Sequence, residues 1–222
     1  MSRKYLLVGL IVVALGVLGA AAWYVFLGAP SESAIPQANQ TQTVAITAGD
    51  HTMGSPKAPI QIVEYAAPQC PHCAHFDMTE FPLLKQNFID TGKVYYVLRI
   101  YPLGPADVAA GAMAHCLPPG QFFDFLDLLW RNQQKWDPEY RVPDVHAGLV
   151  DMGRIAGMSA DKVDSCIANQ AVSQEITQIG QEAVQKYGIN SVPTFIVNGE
   201  VRQFPGGWDE MQTYLNGQLK KH

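Results

Sequence analysis

Charge is what this 222-residue chain has least of: Asp, Glu, Lys and Arg together make only 16% of it, with a net of −5. The first 29 residues hold Arg3 and Lys4 and no acid, which leaves 13 basic against 20 acidic residues, a net of −7, in the remainder. No basic stripe interrupts that balance, so nucleic acid is not an expected partner. Cysteine is scarce too. There are four, at 70, 73, 116 and 166, an even number of the kind an exported protein pairs. No second C-x-x-C follows the first, and no cofactor box stands out among the aromatic and methionine residues. Apolar residues, by contrast, make 48% of the chain, enough for one good core and a helical subdomain.

The apolar content is not evenly spread. Tyr5 to Leu27 is an uncharged run of 23 residues, about 34 Å long as a helix and enough to cross a bilayer core. Arg3 and Lys4 on its short leading side orient that end to the cytoplasm and the remainder outside. A cleaved secretory signal is the competing reading, with Ala20-Ala21-Ala22 as the cleavage region. Trp23-Tyr24-Val25-Phe26-Leu27 prolongs the apolar stretch past those alanines, which favours an uncleaved anchor. Ala29 to about Asp50, rich in Pro, Ser, Gln and Thr, is expected to be a flexible tether.

Cys70-Pro71-His72-Cys73 organises the remainder of the chain. Ile60–Ala66 ahead of it alternates and is β-branched, a strand signature; from Ala74 to Ile89 the apolar positions recur at three and four residues, a helix signature. The cysteines therefore fall at a strand-to-helix turn, with Pro71 at the first helical position, where its missing N–H loses nothing. Unpaired N–H groups and the positive end of the helix dipole would favour a thiolate at Cys70. His72 adds a donor or a charge. Such a thiolate beside a second thiol is suited to thiol–disulfide exchange. Zinc sites and haem attachment use C-x-x-C as well. Haem attachment fails because Ala74 follows Cys73; a zinc site would have to gather Cys70, Cys73, His75 and the distant Cys116.

Val94–Tyr101 is a second strand, stopped by Pro102. Residues 105–187 read as helices throughout, broken at Pro118-Pro119-Gly120. Thr194–Val197, the Asn198-Gly199 turn and Glu200–Gln203 form a hairpin with a type I′ signal, and a last helix runs from about Trp208 to Leu219. The order is β-α-β, a helical insertion, then β-β-α.

Glu64-Tyr65 leading into Cys70-Pro71-His72-Cys73, the strand near 94–101, and Gly188–Phe195 with Asn198-Gly199 resemble the DsbA-like thiol:disulfide oxidoreductases of the bacterial cell envelope, over about residues 50–220. The resemblance implies an α/β thioredoxin-like fold with an inserted α-helical domain; the transmembrane or signal helix read above precedes it, and a membrane anchor departs from the family's usual soluble form. With both readings combined, 1–28 is the anchor or signal segment, 29–50 a linker, 51–104 and 188–222 the two parts of the thioredoxin fold, and 105–187 the insertion. It implies a cis Pro193 against the cysteines, with Val192 turned to bind a substrate chain. It implies that Glu64 is a partly buried carboxylate able to relay the proton of Cys73; a solvent-facing charge is the alternative. It also implies that Cys116 and Cys166 are a structural pair, which if joined would be worth about 4 kcal/mol in the chain-entropy model; the alternatives are two buried thiols or a second redox pair. Gln69 stands where thioredoxin-like reductants usually have Trp, and the spacer is too short for the dimerisation domain of dimeric isomerases.

The expected protein is a cell-envelope dithiol oxidase, without cofactor or metal, acting on reduced exported proteins and, by the resemblance, re-oxidised by a quinone-linked membrane partner. Cys70 is expected to be its exposed nucleophile. A Cys70 pKa lowered from about 8.5 to about 4 would stabilise the reduced form by about 4 kcal/mol at pH 7, or about 90 mV. A reductase or isomerase is the rival of the same class; a metal-binding protein and a chaperone-like module are the others.

Overall fold

The structure, a computed structural model, describes residues 44–221. The anchor or signal reading of residues 1–28, and most of the tether, lie outside the described residues. Among the described residues no helix is long and apolar enough to cross a membrane.

A five-stranded sheet, in the order β1-β3-β2-β4-β5, forms the centre. The strands are β1 His51–Met53, β2 Ile60–Ala66, β3 Val94–Ile100, β4 Thr194–Val197 and β5 Glu200–Arg202. β2 and β3 are parallel in the register Ile60↔Val94 to Ala66↔Ile100, and β4 is antiparallel to β2. The β4–β5 hairpin turns through Asn198 and Gly199, whose φ values of 48° and 87° are those of a type I′ turn. Asn198 also accepts the Gln61 N–H through its side chain at 2.8 Å, which ties the turn to β2.

β2 is buried along nearly its whole length, as a strand covered on both faces must be. Its period of two divides the core. Ile60, Ile62 and Ala66 face a large cluster under the helices, while Val63 and Tyr65 face a smaller one with Val44, Ala183 and Ile189. Glu64 falls on the same face as Ile62 and Ala66, so a carboxylate is placed in the larger core.

α1 Pro71–Thr79 follows β2, and α2 Phe81–Leu84 continues into a π turn over Lys85–Ile89. The single helix expected over this stretch is interrupted at Glu80. Pro82 has no N–H to give to Met78, and its ring would clash with that carbonyl. The insertion holds α3 Pro105–Cys116, α4 Phe122–Arg131, α5 Gln133–Trp136, α6 Val145–Ile155, α7 Ala160–Ile167 and α8 Gln170–Tyr187; α9 Gly207–Leu219 ends the fold. Gly111 on α3 lets the sheet and α8 approach, since a Cβ there would stand 2.9 Å from both Ile100 Cδ1 and Ile176 Cδ1.

The tether expected as far as Asp50 is docked from Val44 onward. Val44 is buried, and its carbonyl accepts from the Gln61 side chain at 3.1 Å. Arg99 holds the Asp50 carboxylate in a two-point pair at 2.8 Å and the Ala45 carbonyl at the same distance. β1, three residues long, then adds an antiparallel edge to β3.

Candidate active site

Cys70 is the N-cap of α1. Its extended backbone (φ −73°, ψ 118°) turns the side chain back over the helix start, where Sγ accepts the Cys73 N–H at 3.3 Å. Pro71 takes the first helical position. On the other side the Cys70 thiol donates to the Val192 carbonyl at 3.4 Å, and the Val192–Pro193 peptide is cis. Both thiols are free. Cys70 is not the exposed nucleophile expected: it is only 5% exposed, because the Val192–Pro193 loop lies against it. His72, on the turn between the cysteines, is exposed.

A hydrogen bond from the Cys73 side chain is the largest influence on Cys70, whose thiol is lowered from 9.0 to about 6 in spite of burial. Backbone N–H groups of Cys73 and His72, then the His72 charge, push the same way. At pH 7 that lowering favours the reduced form by at most about 1.4 kcal/mol, near 30 mV, and solvent screening reduces it further. The expected lowering to about 4 is therefore too large. Cys73, fully buried, is pushed well above the usual thiol value by burial and by the Cys70 sulfur. One turn thus holds two thiols of opposite tendency.

Glu64 lies beneath them on β2, 1% exposed, and its carboxyl accepts the Tyr96 hydroxyl from β3. The solvent-facing alternative is excluded. Burial pushes its pKa up to about 8, with further contributions from Asp77 and the Cys70 sulfur. Asp77, four residues after Cys73 and so on the same helix face, is also pushed up to about 8, by burial and by the neighbouring Asp127 carboxylate on α4.

Sequence reasoning missed the brace that holds the chain ahead of Cys70. The Asp107 carboxylate, fully buried at the start of α3, accepts Gln69 N–H at 2.7 Å and Leu103 N–H at 2.8 Å. Asp137 accepts the Gln69 side chain at 2.8 Å, Trp130 Nε1 donates to the Ala67 carbonyl at 3.0 Å, and Gln133 donates to the Pro68 carbonyl at 2.9 Å. Residues 67–69 are thus suspended from α3, α4 and both ends of α5. Gln69, where thioredoxin-like reductants usually have Trp, is a link in this network. Asp107 ahead of a buried helix was the one local signal; the other partners lie more than sixty residues away.

Cys116 and Cys166 are disulfide-bonded, with Cα atoms 5.8 Å apart, and join the end of α3 to α7. Cys116 is therefore not available to a zinc site with Cys70, Cys73 and His75, and among the described residues no group of three or more His, Cys, Asp or Glu is placed to hold a metal.

A groove of about 460 Å³ opens beside Cys70, between α1 and the loop carrying Pro193. Phe76, Pro193 and Phe204 form apolar walls, and His72, Glu80 and Gln203 are polar points along it. Phe195 beneath packs on Phe76 and Phe204, with ring centroids 4.9 and 5.5 Å apart.

A C-x-x-C at the N-cap of a helix, a cis-proline loop against it and a β-α-β/β-β-α sheet define the thioredoxin-fold class, here with a helical insertion. The chain belongs to the thioredoxin-like family: the family model described as Thioredoxin matches residues 47–217, and its similarities run to DsbA-like members. It is 30% identical over 158 residues to a Rickettsia bellii protein that is a protein-disulfide oxidoreductase by name; the match covers 71% of this chain and 60% of that one, so the chain spans less than two thirds of that relative's length. A disulfide bond formation protein D, by name, of Bacillus cereus is 25% identical over 174 residues, 77% of this chain and 79% of its own. The crystal structure of Wolbachia pipientis alpha-DsbA1 superposes with a TM-score of 0.73 at 25% identity, covering 80% of this chain and 94% of that one.

Proposed function

We propose that this chain is a cell-envelope thiol:disulfide oxidoreductase that acts as a dithiol oxidase on reduced exported proteins. The observation that carries the reading is the position of Cys70 Sγ, held between the N–H of Cys73 and the carbonyl of Val192. In the oxidised enzyme a substrate thiolate attacks Cys70 Sγ, the Cys70–Cys73 bond breaks, and Cys73 leaves as a thiolate. Burial makes that thiolate basic, so it takes a proton. Glu64, protonated below about pH 8, is the buried acid that can supply it. A second substrate thiolate then attacks the substrate sulfur of the mixed disulfide. Cys70 departs as the stabilised thiolate, the substrate gains a disulfide, and the enzyme has taken up two electrons. Val192 offers backbone groups to an extended substrate chain beside the cysteines.

By family resemblance, a quinone-linked membrane partner re-oxidises the pair; the apolar run Tyr5 to Leu27 behind Arg3 and Lys4 delivers the fold to the outer side of the membrane, as an anchor or as a cleaved signal. The modest lowering of Cys70 favours a second reading. A value of about 6 lies nearer to thioredoxin's, about 7, than to DsbA's, about 3.5, as a reductase or isomerase would have. Equilibration with glutathione and alkylation trapping in cells decide between the two. A pair found oxidised in cells, with reduced client peptides gaining disulfides, supports the oxidase; a pair held reduced in cells overturns it.

A further inference from the structure

Resting on the oxidoreductase reading above, we propose that Glu80 selects substrates: the groove beside Cys70 favours extended segments that carry a Lys or Arg a few residues from the reacting cysteine. Among the described residues, Glu80 is the only acidic one lining the groove. Phe76, Pro193 and Phe204 make the rest of it largely apolar, and His72 and His75 stand at the Cys70 end. Its carboxylate is half-buried and accepts no hydrogen bond among the described residues; His75 is the charge that acts on it. The side chain reaches across to the start of α9, where Oε1 lies 3.1 Å from the position a Cβ on Gly207 would take. That helix start needs no help from it, because Glu210 already accepts the Gly206 N–H at 2.8 Å and Asp209 adds a second acid.

A partly desolvated carboxylate without a partner is unfavourable until an ammonium or guanidinium arrives, and the charge-assisted hydrogen bond then formed is of the strong kind. The reach fits. The nine-residue helix Pro71–Thr79 separates Cys70 from Glu80, a rise of about 15 Å from one to the other; three residues of an extended segment cover about 10 Å, and a Lys or Arg side chain spans the rest.

The test uses the oxidised protein and one peptide scaffold with a single cysteine and Lys, Gln or Glu three residues away on either side. Mixed-disulfide formation is followed over a range of peptide concentrations. Each rate is normalised to that peptide's rate with oxidised glutathione, because a nearby Lys lowers the thiol pKa by itself. The expected order is Lys over Gln over Glu, with about tenfold between the extremes, carried by the half-saturating concentration and flattened by 1 M salt. Glu80→Gln should compress the range to about twofold and Glu80→Lys should reverse the order. Equal normalised rates for all three peptides with the wild-type protein overturn the proposal, as does an unaltered preference in a folded Glu80→Gln. No reaction with any peptide or with dithiothreitol overturns the redox reading itself, so the two failures are distinct.

Discussion

The two cysteine pairs of this chain have the same atoms and opposite surroundings. Cys70 and Cys73 sit three residues apart at a helix start, where N–H groups converge on one sulfur and burial isolates the other. Cys116 and Cys166 join the ends of two helices across a sequence separation of 50, with Cys166 inside the apolar core. Neither of them caps a helix start; each lies in the last turns of its own helix. Reactivity therefore follows the backbone around a thiol and the polar groups that face it, while the other pair closes a long loop. The distinction makes each pair separately breakable.

The largest expected effect is on exchange. Cys70→Ser should lower disulfide exchange by about a thousandfold or more, since no other sulfur has its thiolate stabilised. The double variant Cys116→Ala/Cys166→Ala should keep exchange within about threefold and lose about 2–4 kcal/mol of stability. Peptide oxidation and denaturant unfolding, measured on both, would erase the contrast between the pairs if the double variant lost exchange as severely.

Next is the acid beneath the reactive pair. Glu64 titrates at 4.5 in the unfolded chain and at about 8 in the fold. Between those values the fold keeps a proton that the unfolded chain has released, so this group's contribution is complete below about pH 4.5, falls as pH rises, and levels above about pH 8. Glu64→Gln does not titrate and can still accept from Tyr96. It should match the wild type near pH 4 and exceed it at pH 8 by an amount on the order of 4 kcal/mol. Urea midpoints across pH 4–9 read this directly, and parallel curves for the two proteins would refute it. Exchange should respond in the opposite sense, with a slower Cys73 departure in the variant below pH 8.

Alkylation sharpens the contrast within the reactive pair itself. Cys70 should react with iodoacetamide along a titration centred near pH 6, rising from pH 5 to 7 and then flattening. Cys73 should stay unmodified through pH 9 in the folded protein, because burial keeps it protonated. A Cys70 midpoint of 8 or more would leave no stabilised thiolate to explain.

Much of this arrangement was legible locally. β2, the Pro71 helix start and the Asn198-Gly199 turn each follow from a handful of adjacent residues. β1 was missed because three residues are too few for a periodic signal and its pairing with β3 lies far along the chain. The break before Pro82 was visible in principle and was overridden by an apolar period that runs through it. The brace at Gln69 left only Asp107 at a helix start as a sign, and nothing tied that Asp to Gln69: the bonds to Asp107 and Asp137 span 38 and 68 residues. Cys70 was expected at the surface from its place ahead of the helix and beside His72, whereas its cover comes from Val192, 122 residues away.

The smallest expected effect concerns His72, where sequence and structure part on magnitude. As the only titratable side chain between the cysteines, it reads as a donor to the Cys70 thiolate, and a charge-assisted hydrogen bond of about 1.5–3 kcal/mol would correspond to roughly 30–65 mV. In the fold the His72 side chain is exposed; what His72 contributes to lowering Cys70 comes first from its backbone N–H, with the ring acting only by its charge and as the last of the influences. Serine keeps that N–H. What His72→Ser removes is an exposed charge, and such charges contribute about 0–1 kcal/mol. The disulfide should thus become harder to reduce by less than about 20 mV, since 1.4 kcal/mol is about 30 mV in a two-electron couple. Equilibration with glutathione at pH 7 resolves the two cases. A shift of 30 mV or more to negative values would show that the ring, rather than the helix start, holds the thiolate.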